Sequence, residues 1–186
     1  VKPIGLLNLL AFKKLVPGRK KRIGKASDEK IVGTPPMNAL AQSMHPDVQT
    51  FRITGISKCP NDVTIYELKS KHVAYFRAGQ YLSVKLDIGG YKVTRPYSIL
   101  SSPKDASKGK CALGIKADGF VSEHIAKTWK VNDIITTSGP EGTFYYDDIR
   151  DAGTVVGIAG GCGIMPFYSM AQAIMQITEK FKLVLL

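Results

Sequence analysis

Residues 154–166 read TVVGIAGGCGIMP. The unbroken apolar run TVVGIA has the texture of a strand buried on both faces, as in a parallel sheet. The glycine turn Gly160-Gly161-Cys162-Gly163 follows it. Next comes a predicted amphipathic helix over 166–178, with Pro166 tolerated in its first turn and Phe167, Met170, Ala171 and Ile174 on one face. FKLVLL, residues 181–186, then begins a second buried strand. Strand, helix and strand in this order start a parallel βαβ unit. Two strands and one helix do not close such a domain, so the expectation is a fragment of a longer chain.

Working back from that unit, the texture changes. QTFRITGISKCP (49–60), DVTIYELKS (62–70), QYLSVKLDI (80–88), YKVTRPYSIL (91–100) and CALGIKA (111–117) are short and rich in β-branched and aromatic residues. Asn61-Asp62 and Gly89-Gly90 are natural reversals, the second suggesting a hairpin. VSEHIAKTW (121–129) reads as one helix with Ser122 as its N-cap, and IITTSGPEGTFYY (134–146) as strand, turn, strand. Six or so short strands with one helix predict a small antiparallel β-barrel. The fold class is therefore a barrel followed by the start of a parallel βαβ domain.

Three segments carry chemistry. Arg95-Pro96-Tyr97-Ser98 puts a cation, an aromatic face and a hydroxyl within four residues, and strand periodicity places Arg95 and Tyr97 on one face. Arginine grips a diphosphate bidentately, tyrosine offers a plane to a ring system, and serine bonds a heterocycle nitrogen or oxygen. The same four residues also suit an ordinary exposed strand. Gly119-Phe120-Val121-Ser122 opens a helix whose first amides suit an anion, although any capped helix has such amides. Gly160 to Gly163 lies at the C-terminal edge of a parallel strand, where ligands bind in such sheets. It is neither the Gly-x-Gly-x-x-Gly fingerprint nor a Walker loop, and a plain βα turn is the alternative. Cys162 reads either as a reactive thiol in that turn or, by default, as a buried, inert one.

Taken in order, these segments resemble the ferredoxin–NADP reductase superfamily, from about His45 to Leu186. The resemblance rests on Phe76 to Tyr81, Arg95 to Ser98, Gly119 to Ser122, Val131-Asn132-Asp133, Gly139 to Phe144 and Gly160 to Pro166. It implies a flavin-binding barrel followed by a nicotinamide-nucleotide domain. Arg95 would bind the flavin diphosphate, Tyr97 would stack near the isoalloxazine, and Ser98 would bond near its reactive nitrogen, making Tyr97 and Ser98 the residues nearest the chemistry. Gly119, Phe120, Val121 and Ser122 would hold the diphosphate at the helix start, which favours FAD over FMN. Ile115 and Lys116, just upstream, belong to the same cofactor-binding set. Gly160, Gly161, Cys162 and Gly163 would receive the nicotinamide of NAD(P)H as co-substrate, with Pro166 shaping the turn. Two departures stand out. Asn132 replaces a usual glycine, and Cys162 replaces a common Thr or Ser.

The implied activity is that of an NAD(P)H-dependent flavoprotein reductase passing electrons to a redox acceptor, a ferredoxin-type protein or domain. An iron–sulfur cluster would lie only in a part of a parent chain beyond Leu186. The alternative is a non-catalytic flavin-binding or partner-docking module. His45, His72 and His124 show no catalytic arrangement. Asp147, Asp148 and Asp151 read as a solvated loop. Cys59, Cys111 and Cys162 are widely spaced, which supports no metal centre and no disulfide framework, and a reducing cytoplasm fits them.

Net charge is +11, but residues 1–25 hold eight Lys and Arg and no acid, so everything after them carries only +3. A nearly balanced body makes nucleic acid a poor partner. The expected organisation is a basic helix (4–16) and arm over 1–46, the FAD-binding barrel over 47–151 and the incomplete nucleotide domain over 152–186. Residues 1–25 are a candidate for peripheral contact with an anionic membrane, weighed against a docking helix with a solvated linker.

Overall fold

The computed structural model describes Gly24, Lys25, Gly33 and residues 36–186. The predicted helix at 4–16 and most of the basic arm lie outside the described residues. Two compact units divide the chain, Val1–Asn38 and Ala39–Leu186. The first helix among the described residues, α1, spans Pro36–Met44.

Six antiparallel strands make the body of the second unit: β1 (Gln49–Lys58), β2 (Val63–Lys69), β3 (Tyr81–Ile88), β4 (Tyr91–Ser98), β5 (Lys110–Lys116) and β6 (Ile134–Glu141). Their order across the sheet is β4-β3-β6-β1-β2-β5. The two end strands approach each other just beyond β4. Ile99 bridges Leu113 of β5, and the Leu100 amide donates to the Ala112 carbonyl at 2.8 Å. These two links draw the end strands together, and the six-stranded sheet curls into the expected barrel.

Alternation of side chains fills the inside. Phe51 and Ile53 of β1, Tyr66 and Leu68 of β2, and Leu82 and Val84 of β3 are all buried. Each such side chain contributes about 1.5–3 kcal/mol by leaving water. The reversals stand where expected. Asn61 and Asp62 take φ of 59° and 57°, and Gly89 and Gly90 take 60° and 84°. Asn132 takes φ of 80°, so the turn survives its missing glycine.

Two helices accompany the barrel. The four-residue α2 (Pro103–Ala106) was not foreseen; Ser102 and Asp105 form a capping box around Pro103. The second, α3 (Phe120–Thr128), begins after Gly119 rather than at Ser122. Beyond β6 the predicted second strand of 134–146 does not form. Tyr145 and Tyr146 serve side-chain contacts instead: the Arg77 guanidinium lies 4.4 Å from the Tyr145 ring centre, and Tyr146 stacks on Phe181 at 4.2 Å.

The parallel unit then begins. Strand β7 (Thr154–Gly157) pairs in parallel with β8 (Lys182–Leu185), and α4 (Ile164–Met175) joins them after a 3₁₀ turn at Gly161–Gly163. The helix starts two residues earlier and ends three earlier than the periodicity suggested. Its buried face holds Met165, Phe167, Ser169, Met170 and Ala173, while Ala171 and Ile174 are only half-buried. Ser169 is buried because its hydroxyl donates to the Ser101 carbonyl at 2.7 Å, tying α4 to the barrel.

Candidate functional site

Strand β4 and the start of α3 face one cavity of about 460 Å³. Its wall includes Arg95, Tyr97 and Ser98 from β4, Gly119 to Ser122, and Cys162 with Met165 from the glycine turn and helix α4. Three segments separated by some twenty to forty residues thus meet at one place.

Arg95 and Tyr97 are two residues apart on a strand and so share a face. Arg95 is exposed, and among the described residues its guanidinium makes one bond, to the Thr94 carbonyl at 2.9 Å. Most of its donors are thus available to an anion. Tyr97 is half-buried against the barrel core. That burial pushes its hydroxyl pKa up, and the Arg95 charge opposes the shift. Ser98 closes the strand and is half-buried.

Gly119 takes φ of 140°, a conformation that side chains disfavour, and among the described residues nothing lies within 4 Å of where its Cβ would stand. The backbone can therefore approach a ligand there. The first three amides of α3, those of Phe120, Val121 and Ser122, have no carbonyl within the helix to bond. Ser122 has a different role from the expected cap. Its hydroxyl donates to the Gly119 carbonyl at 3.1 Å and accepts from the Asp118 amide at 3.0 Å, which fixes the turn. Lys116 reaches the cavity and pairs with Asp118 at 3.1 Å, and that bond raises its pKa.

A family model described as the oxidoreductase FAD-binding domain matches residues 50–146. The chain belongs to that family. Flavohemoprotein of Candida norvegensis is 33% identical over 130 residues, covering 64% of this chain and 32% of the relative. NADH-cytochrome b5 reductase 1 of Laccaria bicolor is 34% identical over 122 residues, covering 63% and 38%. The first curated relatives are matched over 26% to 48% of their own length, so the chain spans about a quarter to a half of them. Among solved structures, phthalate dioxygenase reductase superposes with a TM-score of 0.64 at 22% identity, covering 74% of this chain and 42% of that one. The ferredoxin NADP+ reductase of Neisseria gonorrhoeae, with bound FAD and NADP, gives 0.61 at 19% identity, covering 75% and 56%. At such identities these two show a shared fold alone. The fold that the resemblance implied is the fold these structures share.

Not every residue of this FAD-binding domain that the sequence singled out reaches the cavity. Ile115 is 3% exposed, with its side chain in the barrel core, because strand alternation turns it inward. Gly161 and Cys162 line a second cavity of about 700 Å³, which shares Lys116, Cys162 and Met165 with the first. Gly160, Gly163 and Pro166 line neither of these two cavities, although they stand beside those that do.

Cys162 itself corrects an expectation. It is exposed, whereas Cys111 is the buried thiol, with its pKa pushed up to about 12 by burial. Residues the sequence did not single out also line the walls. Asp118 anchors Lys116 in the first cavity, and Cys59 and Asn61 of the β1–β2 turn line the second. Only the fold brings that turn beside Gly161, a hundred residues away.

Proposed function

We propose that this chain is the flavin-carrying part of an NAD(P)H-dependent reductase. The barrel over residues 47–151 would hold FAD, and residues 152–186 would begin the part that receives NAD(P)H. The observation that supports this most is the single cavity combining a guanidinium, a half-buried aromatic ring, a hydroxyl and a run of unpaired helix amides. That inventory suits a planar heterocycle joined to a diphosphate.

The residues present fit the cofactor. Arg95 has free donors for phosphate oxygens, and Gly119 leaves room for phosphate beside the α3 amides. When bound, the flavin supplies a ring that takes a hydride and passes electrons on singly. The chain's own residues position and shield. Tyr97 packs one face of the ring site and keeps water from it. Ser98 offers a hydroxyl donor at the ring edge. Ser122 acts by shaping the turn that aims the amides. The turn from Gly160 to Gly163, held by helix α4 and Pro166, lets a nicotinamide come close. No side-chain acid or base is required for this chemistry.

The acceptor in this reading is a redox protein or domain of ferredoxin type. Flavin uptake by the purified chain, followed by fluorescence quenching, tests the reading, and anaerobic bleaching by NADH or NADPH tests its electron donor. Uptake of neither FAD nor FMN overturns it.

A further inference from the structure

Phe120 is out of character in the cavity wall. It is 71% exposed at the first position of α3. Among the described residues no aromatic ring or cation packs on it. A lone exposed phenylalanine is ordinary on a protein surface. This one lines the same cavity as Arg95 and Tyr97 and directly follows Gly119, whose outer side is open.

The cavity therefore presents two aromatic faces at different depths. Tyr97 is half-buried against the barrel core, and Phe120 stands in solvent on another element. The same wall carries the Arg95 guanidinium and the free amides of α3. The complement of such a wall is a ligand with two planar ring systems joined by an anionic linker. A mononucleotide has one ring system and would leave one aromatic face empty.

We infer that the Phe120 ring is a stacking platform for the adenine end of FAD and that it makes this site select the dinucleotide over FMN. The inference rests on the flavin reading above and adds to it a role for this side chain, distinct from the amides of the same turn. Purines stack on aromatic side chains with enough energy for alanine substitution to weaken binding about tenfold. Because the ring is exposed, its removal leaves the fold intact.

The test measures FAD and FMN dissociation constants for the whole 186-residue chain and for Phe120→Leu and Phe120→Tyr, with flavin-free melting temperatures alongside. The wild-type chain is expected to prefer FAD. Phe120→Leu is expected to weaken FAD about tenfold while leaving FMN unchanged, and Phe120→Tyr to restore the preference. An FAD-to-FMN ratio that Phe120→Leu does not move, in a chain that binds FAD, overturns the assignment of Phe120 alone. A wild-type chain that takes up neither flavin overturns the flavin reading and this inference with it.

Discussion

Gly114 of β5 faces Met165 of α4 so closely that a Cβ on Gly114 would stand 2.6 Å from the Met165 sulfur. This contact lets the helix lie against the barrel and brings the glycine turn to the mouth of the cavity. Gly114→Ala is expected to destabilise the chain by about 1 kcal/mol, since the flexible thioether can give way, and Gly114→Val by about 2–3 kcal/mol. In urea unfolding, a Gly114→Ala chain that also carries Met165→Ala should lose less than the two single losses added. Strict additivity would show that the contact does not set the packing.

Asp151 and Arg150 make the clearest pH-dependent pair. The Arg150 guanidinium bonds the Asp151 carboxylate at 2.7 Å and holds its pKa down to about 2. An unfolded aspartate titrates near 4, so this stabilisation is present above pH ~4 and is lost as pH falls toward 2. Asp147 shifts downward too, chiefly through the Ile149 amide and also through Arg77. Urea midpoints measured from pH 5 to pH 2 should fall less steeply for Asp151→Asn than for the wild type. Equal slopes would contradict the pairing.

Glu179 titrates in the opposite sense. Burial raises its pKa, and its Oε2 has no hydrogen-bond partner among the described residues. Its neutral form suits the fold, so its contribution is complete at low pH and is lost as pH rises through the folded pKa. Glu179→Gln should raise the melting temperature at pH 7 and leave it unchanged near pH 3. A loss of stability at pH 7 would mean that the carboxylate is needed.

Much of this was legible in the sequence because one-sided strands write themselves as alternation. Thr64, Tyr66 and Leu68 turn inward along β2 just as a period of two requires. The Asn61-Asp62 and Gly89-Gly90 turns announced themselves by residue type. Other features depended on distant partners. Tyr145 and Tyr146 have good strand propensity, yet Arg77 and Phe181 claim them for side-chain contacts. Pairing of β6 with both β1 and β3 joins segments far apart in the chain, which no local pattern specifies. Ser122 has the chemistry of a cap but is the third residue of the helix, whose N-cap is Gly119 with φ of 140°. Within the candidate site the residue types were readable and their depth was not. Ile115 lies inside the barrel, and Cys162 lies outside.

The three thiols should separate by reactivity. Cys111 is fully buried with its pKa at about 12, so almost no thiolate exists at neutral pH. Cys162 is exposed at the cavity wall. Mass spectrometry after brief maleimide labelling at pH 7 should find Cys162 modified first and Cys111 only after unfolding. Added FAD is expected to slow labelling at Cys162. Rapid labelling of Cys111 in the native chain would contradict its burial.

Arg95 offers the sharpest separation of binding from folding. It is exposed and its only side-chain bond among the described residues is to its neighbour's carbonyl, so Arg95→Ala should leave the melting temperature unchanged. A hydrogen bond to a charged group contributes about 1.5–3 kcal/mol, and each 1.4 kcal/mol is tenfold in affinity. Loss of the guanidinium should therefore weaken FAD binding by about tenfold to a hundredfold. Arg95→Lys should recover only part of this, since an ammonium keeps the charge but not the two-pronged grip. Full recovery by lysine would reduce the role of Arg95 to its charge, and unchanged FAD affinity in Arg95→Ala would remove it from the site.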